Sequence, residues 1–169
     1  MALYTVIGVM GSGSSEHADL AEPLGVWIAK QGYSLLTGGR GGVMTAVSRA
    51  FHSVQPRKGV VIGVLPARAS ANGDIPRPNS WVEVAIITHL PKLGVEGTHR
   101  MSRNHINVLS SNVIVALPGG HGTQSEIKLA LQYNRPVISF LRASDTDLGG
   151  APVARTLSDV KKFIRSKCR

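Results

Sequence analysis

"VIVALPGGHGTQSEIKLAL", Val113 to Leu131, sets an unbroken apolar run against a glycine-rich turn and then a helical pattern. An apolar run without alternation reads as a strand buried on both faces, as in a parallel sheet. The glycines let successive amides approach an anion, and the helix adds the partial positive charge of its amino end. Glu126, one helical turn further on, is either a chemical carboxylate or a cap for that helix. The spacing Thr123-Gln-Ser-Glu126 is that of a capping box, in which Glu126 returns to the Thr123 amide; the threonine cap is worth ~1 kcal/mol. By spacing, Glu126 is a cap.

The strand pattern recurs at residues 5–10, 33–37, 59–66, 82–88 and 136–141, and the Val113 run itself spans 112–118. Helical patterns lie between most of these runs. One has its apolar face on Leu20, Leu24, Trp27 and Ile28; a second on Val43, Ala46, Val47 and Ala50. A third uses Ile127, Ala130 and Leu131, and a last one Leu157, Val160 and Ile164. Alternating strands and helices predict an α/β, Rossmann-like doubly wound sheet, mostly or wholly parallel, with helices on both faces. Pro23 lies inside the first helical pattern and predicts a kink or a later start. Residues 67–81 predict a loop.

Three glycine-bearing turns follow strands: "GSGSS" (11–15), "TGGRGG" (37–42) and "PGGHGT" (118–123). Ligands of open α/β sheets bind at the carboxyl ends of strands. The three turns therefore predict one shared phosphate-binding crevice. Its candidate residues are Gly11 and Ser12; Gly38, Gly39, Gly41 and Gly42 with Arg40; and Pro118, Gly119, Gly120, His121, Gly122 and Thr123. "HRMSRNHINVLSS" (99–111) reads as a helix with Arg100, Arg103, Asn104 and Asn107 on one polar side, either solvated or touching ligand.

Several chemistries are excluded. "GSGSSE" lacks a third glycine at dinucleotide spacing, and "YSLLTGG" ends without the acidic residue that would hold a ribose. There is no P-loop, and no histidine pair has zincin spacing, so no metal site is expected; His17, His52, His89 and His99 read as surface or packing residues. Cys168 lies in the terminal tail, a poor place for a nucleophile, and no lysine neighbours the glycine turns to hold pyridoxal phosphate.

At 169 residues the chain predicts a single domain, 1–169, burying roughly 70% of its unfolded surface. Hydrophobic content of 43% with 5% aromatics suits an aliphatic core. No run approaches the ~20 apolar residues of a membrane span, and "MALYTVIGVMG" has no basic leader region, so neither membrane nor secretion is expected. The single cysteine fits a reducing compartment and a cytoplasmic location. Formal net charge is +9, but "RTLSDVKKFIRSKCR" from Arg155 onward holds six Lys/Arg against one Asp. Residues 155–169 therefore read as a solvated basic terminal helix rather than a nucleic-acid surface.

"PGGHGTQSE" resembles the P-G-G-x-G-T-x-x-E signature of the Lonely Guy proteins, Rossmann-like phosphoribohydrolases that free a cytokinin base from its nucleoside 5′-monophosphate. That resemblance implies Glu126 and Arg103 as catalytic residues. The enzymes typically carry Arg-Lys where this chain has Arg103-Asn104, and their G-G-G-S/N-x-G-L-M-G turn is altered to "TGGRGGVMTA". A second branch of the superfamily is similar over more of the chain. "VIGVMGSG", "LLTGGRGGVM", "VIGVLP" and "SRNHINVLSSNVIVAL" resemble the molybdenum cofactor carrier proteins of green algae and cyanobacteria. Those bind the phosphorylated pyranopterin (molybdopterin) dithiolene cofactor without consuming it.

The carrier branch implies a protein that binds and protects molybdenum cofactor with no catalytic residue. Its contacts would be Gly11, Ser12, Gly38, Gly39, Arg40, Arg103, Asn107, Pro118 to Thr123 and Glu126. It also implies a homo-oligomer, dimer or tetramer, and a molybdoenzyme or cofactor-synthesis partner. The hydrolase branch keeps Arg103 and Glu126 as the alternative.

Overall fold

The computed structural model describes residues 5–67 and 77–168. Seven strands form one sheet: β1 (Val6–Met10), β2 (Ser34–Thr37), β3 (Val61–Leu65), β4 (Val84–Ile87), β5 (Val113–Ala116), β6 (Val137–Phe140) and β7 (Val153–Ala154). Their order is β4-β3-β2-β1-β5-β6-β7. All pairings are parallel, with Gly8 of β1 opposite Leu36 on one side and Ile114 on the other. The helices are α1 (Ala18–Lys30), α2 (Val43–His52), α3 (Asn104–Leu109), α4 (His121–Gln132) and α5 (Leu157–Lys167). A 3-10 turn covers Gly94–Glu96. This is the doubly wound, wholly parallel α/β fold that the apolar runs predict.

Each strand sends alternate residues to opposite faces. On one face Ile7, Val9, Val113 and Val115 pack with α1, α2 and α5 through Leu24, Ile28, Val47 and Ile164. On the other, Met10, Leu36, Ile114 and Ala116 pack with α3 and α4 through Val108, Ile127 and Ala130. Because both faces are covered, β5 is buried along its whole length.

Three local expectations are corrected, and one strand was not foreseen. Of the kink or later start expected from Pro23, the later start does not occur: the first helix begins at Ala18 and runs through the proline to Lys30. Its packing on α2 offsets the lost hydrogen bond. Gly25 lies so close that an added Cβ would be 2.5 Å from the Val47 carbonyl oxygen. β4 is apolar but exposed at every position, because it is the outermost strand. β7, two residues long, is too short for periodicity to reveal. The helix expected over 99–111 is only the six residues of α3, preceded by turns. Of the loop expected at 67–81, residues 68–76 lie outside the described residues.

Candidate functional site

β1 is the central strand, with β2 on one side and β5 on the other. The chain leaves β2 into α2 on one face and β5 into α4 on the opposite face, so a crevice opens above the carboxyl end of β1. It encloses about 390 Å³. Gly11, Gly38, Arg40, Arg103, Gly122, Thr123 and Glu126, all expected from sequence, line it. Gly13 and Gly41, from the same turns, line it as well.

Other expected residues support the walls instead. Ser12 ties two turns together: its N–H donates to the Pro118 carbonyl at 2.9 Å, and its own carbonyl accepts from Val43 N at 2.9 Å. Gly39 has φ +72, and a Cβ there would come within 3.2 Å of Gly63. Gly119 packs on Thr123, where a Cβ would sit 2.2 Å from the hydroxyl. Gly120 is the N-cap of α4, and His121 is its exposed first residue. Asn107 stands behind the lining and holds Glu126. Arg100 is exposed in a turn and does not join Arg103, Asn104 and Asn107, which are buried.

Glu126 does not cap its helix. α4 begins at His121, so Thr123 is already its third residue and Glu126 lies inside the helix. The Glu126 carboxyl is only 7% exposed and accepts a hydrogen bond from Asn107 Nδ2 at 2.8 Å. Spacing misled because the glycines Gly119 and Gly120 let the chain turn into the helix early. The amino end of α4 is left without a side-chain cap, and so is that of α2. Both ends abut the crevice through Thr123, Gly122, Gly41 and Met44.

Arg103, itself 7% exposed, enters from the turn before α3. Its Nη1 donates to the Gly38 carbonyl at 2.7 Å and also to the Val64 carbonyl. Its Nε and the Oδ1 of Asn107 are buried without partners. Burial pushes the Glu126 carboxyl pKa up, against the Arg103 charge and the Asn107 hydrogen bond. Burial pushes Arg103 down; Glu126 raises it, and the neighbouring Arg40 lowers it further. The crevice thus combines the bare first-turn amides of α4, two guanidiniums and one carboxyl that burial biases toward neutrality; at α2 the first amide, Val43 N, is taken by the Ser12 carbonyl. It can hold an anionic ligand and present Glu126 to it.

Asn104, one of the polar-side residues read as solvated or touching ligand, lines the crevice; sequence reasoning missed Val9, Met10, Met44, Leu93 and Gly94. Met44 follows the glycine turn directly and was legible there. Leu93 and Gly94 come from the connection after β4, and no local signal marks them. Among the described residues no His/Cys/Asp/Glu group could hold a metal ion, and no helix is long and apolar enough to cross a membrane.

The chain is similar over its length to two solved structures. The molybdenum cofactor binding protein of Rippkaea orientalis is 32% identical, with 100% of each chain covered and a TM-score of 0.80. The Moco carrier protein of Chlamydomonas reinhardtii is 30% identical, covering 97% of this chain and 99% of that one, with a TM-score of 0.72. An uncharacterized protein of Archaeoglobus fulgidus is 32% identical over 136 residues, 79% of this chain and 78% of its own. A family model matches residues 4–164, and on that match the chain belongs to the SLOG cluster4 family.

Proposed function

We propose that this protein binds molybdenum cofactor by its phosphate and holds it unconsumed, as a carrier. The observation that carries the reading is the uncapped amino end of α4 facing the crevice, in a chain alike over its full length to a Moco carrier. The phosphate would lie on the first-turn amides of α4, where anions are favoured. Arg40 adds charge at the rim, and Met44 and Leu93 offer apolar surface to the pterin. The carrier works as a homo-oligomer, dimer or dimer of dimers, in the cytoplasm, and passes its cargo to a molybdoenzyme or takes it from a cofactor-synthesis enzyme. Sedimentation at micromolar concentration tests the assembly; a monomer overturns it.

One observation favours a second reading. Glu126 is a buried carboxyl on the crevice wall rather than a cap, which is where a nucleoside-monophosphate phosphoribohydrolase would need one, with Arg103 beside it. Incubation with AMP and, separately, with molybdenum cofactor distinguishes the two. The carrier reading expects retained cofactor activity and little free adenine. Rapid adenine release, abolished by Glu126→Gln, makes the protein a hydrolase.

A further inference from the structure

All strands are parallel, so their amino ends share one end of the molecule and the crevice lies at the other. At the amino ends of β2 and β3, the end of α1 meets the connection from α2 to β3. A second cavity of about 450 Å³ opens there, lined by the apolar Ala29, Val54 and Pro56 and by Lys30, Arg57 and Lys58. Lys58 reaches across to α1, since a Cβ on Gly32 would lie 3.7 Å from its Cδ. α5 runs down to the same place. Arg165 Nη2 donates to Oε1 of Gln31, another lining residue, at 3.5 Å, and the Lys161 Nζ lies 6.0 Å from the centre of the Trp27 ring.

Three segments far apart in the chain thus bring their cations around one apolar-lined cavity. Arg57 is answered by Glu83 at 2.9 Å. Lys30, Lys58, Lys161 and Arg165 make no ion pair among the described residues, while Glu16, Glu22, Asp19 and Asp145 face Arg49 and Arg142 elsewhere. Lys30 and Arg165 lie in the last turns of their helices, where cations complement the dipole. Lys58 is on no helix, so the dipole does not account for it.

We propose that this end of the molecule docks a protein partner through an acidic segment bearing one apolar anchor. The anchor enters the cavity, and the flanking carboxylates meet Lys30, Lys58 and Arg165. Charge complementarity of this kind steers encounter and selects the partner. A nucleic acid suits the surface less well, because single strands want exposed rings to stack on, and Trp27 is only 7% exposed. A partner held here leaves the crevice open, and the proposal is independent of what the crevice holds.

The test is fluorescence anisotropy of the whole protein at low ionic strength with a labelled peptide of glutamates flanking a single leucine. Lys30→Glu combined with Lys58→Glu should weaken binding about tenfold or more. Arg100→Glu with Lys128→Glu changes the net charge equally but lies on the α3 and α4 side, and should leave binding unchanged. All four side chains are exposed, and thermal unfolding checks that both variants fold. Serine in place of the leucine should also weaken binding about tenfold, and added salt should weaken it further. Failure of the peptide to bind overturns the proposal, as does equal loss in both double variants or a serine peptide that binds as tightly. Duplex DNA or phosphatidylserine vesicles bound more tightly than the peptide, and released by the Lys30 and Lys58 reversals, would overturn it in favour of a nucleic-acid or membrane surface.

Discussion

Arg103 lays its guanidinium over Gly38: Nη1 donates to the Gly38 carbonyl at 2.7 Å, and a Cβ on Gly38 would sit 2.4 Å from that same nitrogen. The glycine is there for space, since its backbone is not in the left-handed region. Gly38→Ala must push a buried, doubly bonded guanidinium aside, and overpacking of that kind costs about 1–3 kcal/mol. Urea unfolding should show the loss, and ligand binding should weaken with it. An alanine variant as stable as the wild type would mean that Arg103 is not fixed there.

Gly122 is the opposite case. A Cβ there meets nothing within 4 Å, and the residue is the second of α4. Gly122→Ala should stabilise the fold by about 0.5–1 kcal/mol through helix propensity. The same methyl stands at the crevice, where an anion must approach bare amides. Thermal unfolding should therefore rise while tungstate affinity falls; affinity that stays level would place the anion elsewhere.

Glu126 gives a pH dependence. Its folded pKa is pushed up by burial, so between the unfolded and folded values the native protein binds more protons than the unfolded chain. Stability then falls as pH rises from the unfolded pKa through the folded one. Glu126→Gln lacks that loss and can still accept from Asn107. It should match the wild type below about pH 4 and exceed it increasingly as pH rises toward neutrality. Chemical denaturation across that range checks the sign, and a wild type that gains on the variant as pH rises contradicts it.

The basic terminal segment is part of the core. Val160 and Ile164 of α5 are fully buried with Trp27 and β6, so deleting residues 155–169 would damage the fold and test nothing about nucleic acid. Ile164→Ala should cost about 2–5 kcal/mol. Lys162→Glu, on the exposed side, should change stability by no more than about 0.5 kcal/mol. Reversal of Lys162 alone spares Lys161, which lies over the core ring of Trp27, and unchanged binding of that variant to duplex DNA would show that the Lys162 charge is only solvated.

The sheet was legible because a strand buried on both faces is mostly apolar: β1, β3 and β5 carry no polar side chain, and β2 and β6 only Ser34, Thr37 and Ser139. The turns were legible because glycine is needed wherever backbone meets backbone, as Gly42 meets Ser12. Helix starts were not. Thr123-Gln-Ser-Glu126 and Thr156-Leu-Ser-Asp159 have the same spacing, yet only Thr156 caps, accepting from Asp159 N at 3.2 Å. A capping motif is a local preference of ~1 kcal/mol, and tertiary packing overrode it at α4, drawing Glu126 into contact with Asn107, nineteen positions away in the chain. Sequence thus determined which segments are strands and where backbone must come close. Only the tertiary structure decided that Glu126, Asn107, Arg103 and Gly38 meet in one crevice, because their contacts join segments that no local pattern connects.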